Sequence, residues 1–264
     1  MPLRTFPVSM LCALTLIATA HGSHDRRLVD GTVSARFLRA YPSTVLSGTD
    51  SSITLASGST FSTRTHAMAD SYERMLDNAT LADMVSLPYV KGALTAVPLR
   101  NHDPGRARHT PLFDAMYGGT LAEVRKNCVP IRWVDGSTLL CTSINNVSKH
   151  LQAVADELRR LHPTLLRYLS KPGGTLVWRS IAGTDRRSAH SYGIAIDINV
   201  AHADYWRNAR GPATSLVYKN RIPHQIVDVF ERHGFVWGGK WYHYDTMHFE
   251  FRPELCTPAC SCSQ

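Results

Sequence analysis

The sequence predicts an α+β domain in which a small, mainly antiparallel sheet is flanked by helices. Two segments carry apolar residues at helical spacing on one face, three short runs read as strands, and the two kinds alternate irregularly with no internal repeat.

Taken in chain order, Met1 to about His21 places Arg4 ahead of an apolar run, Val8 to Ala18, and then the small residues Ala18-Thr19-Ala20. That is the build of an export signal, so residues 1–22 are set apart from the fold and a secreted or periplasmic protein is expected. The run is shorter than the roughly 20 residues a bilayer-spanning helix needs, and no later segment is longer, so no stable membrane insertion is expected once the signal is removed. Tyr41 to Thr65 is crowded with Ser, Thr and Gly, and residues 23–66 are predicted to be a poorly ordered linker. Regular patterning begins near Ala67, with a helix to Leu76 and a short one from Leu81 to Val85 as a helical cover. The domain is expected over 67–255, with a cysteine-containing tail over 256–264.

Asn146 to Leu161 sets Val147, Leu151, Val154, Leu158 and Leu161 on one helical face. Ile222 to Phe235 repeats the pattern, with Pro223 in the first turn, Ile226, Val227 and Phe230 inward, and Gly234 as the stop. The strand-like runs are Thr175–Ile181, Gly193–Asn199 and Met247–Phe251. Beyond Cys12, five cysteines remain, and Cys128 and Cys141 flank the turn signal Asp135-Gly136, which suggests a hairpin with a cross-strand bridge. Cys256, Cys260 and Cys262 lack the paired spacing of a structural zinc site. The formal charge of +8 favours anionic surroundings. Without a basic run, an aromatic-interleaved stripe or a finger pattern, nucleic acid is excluded as the partner, and anionic cell-wall polymer fits better. Nothing in the chain indicates an oligomeric state.

The chemistry is concentrated in two segments. From Gly193 onward, Ile194, Ile196 and Ile198 alternate with Ala195, Asp197 and Asn199, so Asp197 points away from the apolar layer. Gly193 lets the chain bend so that His190 and Asp197 reach one point. In the second segment Met247, Phe249 and Phe251 alternate with His248 and Glu250. If the two strands are neighbours, His190, Asp197 and His248 converge as two nitrogens and one carboxylate, the three-ligand set of a catalytic zinc with one position left to water. One Zn2+ per chain is expected. Asp245, three residues before His248, is the favoured base for that water. Glu250 is the rival, better placed to orient a ligand from behind.

These residues resemble the M15 peptidases, the group of D-alanyl-D-alanine carboxypeptidases, dipeptidases and L-alanyl-D-glutamate endopeptidases. The resemblance rests on Ser188-x-His190-x2-Gly193-x-Ala195-x-Asp197 and Asp245-x2-His248-Phe-Glu250. It extends through Trp178-Arg179, Ile181-Ala-Gly-Thr184, Tyr205-Trp206, Phe230-Glu-Arg-His-Gly-Phe235, Trp237-Gly-Gly-Lys-Trp241 and Arg252-Pro-Glu-Leu255, and covers about Ala67 to Leu255. It implies zinc ligands at His190, Asp197 and His248, a catalytic carboxylate at Asp245, and at Arg179 the arginine that steadies negative charge on the tetrahedral intermediate. Ser188 and Tyr244 are expected to contact substrate. The implied activity is hydrolysis of peptide bonds in peptidoglycan stem peptides by zinc-bound water, as a D,D-carboxypeptidase or an L-Ala–D-Glu endopeptidase. The same fold also occurs in hedgehog signalling domains, which implies an alternative, a zinc-containing module that binds cell wall or protein without hydrolysis. Retention of Asp245 and Arg179 favours the enzyme.

Overall fold

The computed structural model describes residues 31–65 and 71–256. The export-signal segment 1–22, the start of the helix expected from Ala67, and Cys260 and Cys262 lie outside the described residues. Among those described, no helix is long and apolar enough to cross a membrane.

The chain opens with α1 (Val33–Ala40), capped where the Thr32 hydroxyl accepts from the Ala35 N–H. It continues into a three-stranded antiparallel sheet of β1 (Val45–Gly48), β2 (Ser52–Leu55) and β3 (Thr60–Ser62). This corrects the expected linker. The Ser and Thr residues are mostly the outer face of real strands, while Val45, Ile53 and Leu55 are buried with Phe37 and Tyr41 of the first helical segment. Alternation places few apolar residues where they all count, and average composition hides them.

Helices α2 (Tyr72–Asp77) and α3 (Leu81–Met84) form the anticipated cover, the latter closed by a Thr80–Asp83 capping box. Then come α4 (Thr110–Tyr117) and α5 (Leu121–Lys126), which the sequence reading did not single out. β4 (Cys128–Arg132) and β5 (Thr138–Thr142) make the predicted hairpin. Its cross-strand bridge is not present: Cys128 and Cys141 are free thiols. The register explains why, since Cys128 opposes Thr142 and Cys141 opposes Val129, so the two cysteines are offset by one residue and project to opposite faces.

Helix α6 (Val147–Leu158) buries Val147, Leu151, Val154 and Leu158 as expected, and the short α7 (Leu166–Leu169) follows. The third sheet has the order β6-β8-β7, antiparallel throughout, from β6 (Ala195–Asp197), β7 (Phe235–Trp237) and β8 (His248–Phe251). Helix α8 (His224–Arg232) packs behind it, and α9 (Pro253–Cys256) ends the described chain. Pro223 caps α8 from outside its first turn.

The run Thr175–Ile181 is not a strand. It makes a single isolated bridge, Ser180 to Arg187, and Gly174 just before it makes another to Asp197. Its backbone partners lie instead in the turn that carries His190, through Val177 N–H to the His190 carbonyl (3.2 Å) and Ser188 N–H to the Arg179 carbonyl (3.1 Å). A segment whose hydrogen bonds are shared with a short turn cannot sustain a ladder.

The result is α+β, and the described residues form three small antiparallel sheets rather than one. A continuous core joins the N-terminal unit to the third sheet. At its centre Phe230 of α8 stacks on Phe249 of β8, with centroids 3.8 Å apart. Truncation of that fully buried ring, Phe249→Ala, is expected to lower stability by about 3–5 kcal/mol, read as a lower urea midpoint with an unchanged slope.

Candidate active site

Register places the first two candidate ligands. In the β6–β8 pair Asp197 stands directly opposite His248, and directly opposed residues of antiparallel strands share a face. The isoleucines on the other side of β6 are fully buried, as the alternation required. His190 arrives from the single turn Ala189–Tyr192, begun by Ser188 and ended by Gly193 at φ 66°. That left-handed conformation suits glycine, and any Cβ there would also lie 3.1 Å from the Thr142 amide nitrogen of β5.

The three polar groups meet in one corner. His190 Nε2 is 3.1 Å from His248 Nδ1 and 3.1 Å from Asp197 Oδ1, and His248 Nδ1 is 3.0 Å from the same carboxylate oxygen. The outer nitrogens define the tautomers. His190 Nδ1 lies 2.7 Å from the Thr175 carbonyl oxygen, which only accepts, so this nitrogen carries a proton. His248 Nε2 faces the Glu250 carboxylate at 3.1 Å and carries a proton likewise. With neutral rings, the inner atoms are two lone pairs and an anionic oxygen, three acceptors within hydrogen-bond distance that need a positive charge placed among them. A divalent cation meets that need, and a proton on His248 Nδ1, shared with Asp197, takes its place when no metal is bound. Ligands about 2.0–2.1 Å from a tetrahedral zinc would stand about 3.3 Å apart, close to the spacing found. Among the described residues this is the group of His, Cys, Asp and Glu side chains able to share a metal ion.

The charges around the corner agree. Burial opposes ionisation of Asp197, but His190 and His248 beside it hold its carboxyl well below the usual range. Burial likewise disfavours a charged His248, yet the Asp197 and Glu250 carboxylates on either side push it up to about 10. Glu250 is fully buried and kept ionised, despite desolvation, by the guanidiniums of Arg108 and Arg252, with Arg252 Nη1 donating to Oε1 at 3.0 Å. It therefore stands behind His248 and orients the ring, the geometry expected of it as the alternative to acting as base.

Asp245 lies in the loop before β8, beside the corner. Its N–H donates to the Gly238 carbonyl (3.0 Å), and a Cβ on Gly238 would fall 2.6 Å from the Asp245 carbonyl oxygen, so that close approach requires glycine. Asp245 Oδ1 is shielded from solvent and has no hydrogen-bond partner. Burial, reinforced by the neighbouring Asp197 charge, raises its carboxyl to about 6, against the pull of His248.

A cavity of about 280 Å³ opens over the three ligands and Asp245, and Arg179 and Ser188 also line it. Tyr244 does not. Its side chain is buried against Tyr218, with ring centroids 5.5 Å apart, and its backbone carbonyl accepts from Trp206 N–H at 2.9 Å. Adjacency in sequence to Asp245 did not carry it into the cavity because neighbouring residues of an extended loop face opposite ways. Arg106, Arg108 and Trp241 also line the cavity and were not anticipated. The Arg-x-Arg spacing was visible, but nothing local tied it to residues so distant in the chain.

Residues 182–251 match the family model described as D-alanyl-D-alanine carboxypeptidase, of the M15 peptidases. Over this stretch the chain is similar to the M15 peptidases. The matched segment contains His190, Asp197, Asp245, His248 and Glu250, and begins after Arg179. No curated protein and no solved structure shows a significant match to the chain.

Because a metal must displace the proton that His248 holds so firmly, uptake of a divalent ion is expected to release about one proton and to weaken as pH falls. Calorimetry in buffers of different ionisation enthalpy reads both. Glu250→Gln is expected to lower metal affinity by about 10- to 100-fold without changing the ligand set.

Proposed function

We propose that the protein is a zinc-dependent peptidase that hydrolyses peptide bonds in peptidoglycan stem peptides, as a D,D-carboxypeptidase or an L-Ala–D-Glu endopeptidase. One observation carries the reading: a three-acceptor corner that calls for a divalent ion lies in the same cavity wall as a buried carboxylate, Asp245, with an unpartnered oxygen. Zinc in this corner, with three protein ligands and an open fourth position, would lower the pKa of a bound water to about 7 and polarise a carbonyl.

The remaining work falls to the chain's own side chains. Asp245 accepts a proton from the attacking water and passes it to the amine that leaves. Its raised pKa suits both halves of that exchange, because a group that titrates near the working pH can hold and release a proton. Arg179, exposed at the cavity wall, offers its guanidinium to the negative charge that develops on the carbonyl oxygen. Ser188 fixes the His190 turn and presents its side chain to the same space. Its Oγ accepts from His190 N–H at 3.4 Å. The protein acts on the cell wall after export in this reading, in keeping with its positive charge.

Asp245→Asn is expected to retain zinc while losing about 10²- to 10⁴-fold in turnover of purified peptidoglycan, measured by product mass spectrometry alongside metal analysis. Products containing free D-alanine identify the carboxypeptidase, and a newly freed L-alanine carboxyl identifies the endopeptidase. Equal product yields from the wild type and Asp245→Asn would leave a metal-containing binding module in its place. Below about pH 6 the base becomes protonated, so the wild-type rate should fall on the acid side and stay level above it until other groups titrate.

A further inference from the structure

The mechanism above gives no task to Arg106 and Arg108, although both stand in the cavity wall. They belong to the stretch Asp103–Arg108, which lies outside the segment that matches the M15 model.

That stretch is anchored along most of its length. The Asp103 carboxylate accepts from His243 N–H (2.9 Å), His243 Nδ1 (2.6 Å) and Tyr72 OH (2.7 Å). Arg106 N–H donates to the Asp103 carbonyl at 3.0 Å and closes a turn. Trp241 Nε1 donates to the Pro104 carbonyl at 2.6 Å, and Arg252 donates to the carbonyls of Gly105 (2.5 Å) and Ala107 (3.3 Å). Ala107 packs away with Leu76 and Ala79, while its neighbours on both sides line the cavity. Two guanidiniums are thus held in place before any ligand arrives, which is how a binding group is kept at fixed geometry.

Their charges are not equally balanced. Arg108 and Arg252 are matched by Glu250 and Glu254. Arg106 makes no ion pair among the described residues. It donates to the His243 carbonyl at 3.3 Å and lies over the Trp241 ring, 5.6 Å from its centroid. Arg108 Nε is buried with no hydrogen-bond partner. A partly buried cation with unused donors in a planar fork is suited to a carboxylate. The two scissile bonds considered above share one chemical feature. In D-Ala–D-Ala the residue that supplies the leaving amine ends in a free α-carboxylate. In L-Ala–D-Glu it also has one, because the stem peptide continues through the γ-carboxyl.

We propose that Arg106, with Arg108 beside it, forms a subsite for the free α-carboxylate of the residue that supplies the leaving amine, so that the enzyme selects peptides by that negative charge. This rests on the peptidase reading.

The test uses the zinc-loaded full chain with matched peptides, acyl-D-Ala–D-Ala and acyl-L-Ala–γ-D-Glu, each as the free α-acid and as the α-amide. Amidation is expected to lower kcat/KM by about 10- to 100-fold, mainly through KM, because a charge-assisted contact is lost. Arg106→Gln should abolish most of that preference, and Arg106→Lys should keep part of it, with zinc content equal to wild type in both. Equal cleavage of acid and amide by the wild type, or full preference retained by Arg106→Gln, would overturn the proposal. If no peptide is cleaved at all, the peptidase reading fails by itself. Binding of N-acetyl-D-alanine and N-acetyl-D-alaninamide, followed by calorimetry, then decides the subsite: acid-selective binding that Arg106→Gln removes upholds it, and binding that is equal or independent of Arg106 refutes it.

Discussion

The structure turns on an antiparallel register that sets Asp197 opposite His248. With His190 turned toward them, two imidazole nitrogens and a carboxylate oxygen share a nearly dry corner that needs a positive charge among them. Electrostatics in such a place is unforgiving, since a buried anion or unpaired acceptor is costly unless a cation lies among the group. The surrounding residues are arranged accordingly. A second row of buried charges, Glu250, Arg108, Arg252 and Glu254, balances itself and leaves the inner corner to recruit its own positive charge.

That second row also ties the site to the far end of the chain. Tyr41, just beyond α1, donates its hydroxyl to Glu254 at 2.6 Å, Glu254 accepts from Arg252 at 2.5 Å, Arg252 reaches Glu250, and Glu250 receives His248. The N-terminal helix and its three-stranded sheet are therefore continuous with the His190–Asp197–His248 corner through hydrogen bonds as well as through the apolar core. A buried polar network of this kind is stabilising only when every member is satisfied, and it rigidifies what it connects. The turn over Asp103–Arg108 draws on the same Arg252, which couples the cavity wall to the ligand sheet.

The parts of this arrangement that were legible in the sequence are those with a local period. Alternation from Gly193 and from Met247 put Asp197, His248 and Glu250 on polar faces, and helical spacing identified α6 and α8. The Ser- and Thr-rich stretch misled because three strands were stabilised by only a few alternating apolar residues within polar neighbours. Thr175–Ile181 misled in the opposite sense, having strand-like residues whose backbone partners turned out to belong to a turn. Cys128 and Cys141 flank a real hairpin, but pairing of their thiols depended on a register one residue away from the one adopted.

The sequence by itself singled out the three candidate metal ligands and the carboxylate beside them, because residue type and strand period are local properties of the chain. Tertiary structure decided which side chains share the cavity with them. It excluded Tyr244, placed Glu250 behind His248, and brought Arg106 and Arg108 from a distant turn to the cavity wall. The reason is that contacts between segments far apart in the chain are set by core packing and buried charge balance, which act through space and leave no period to read.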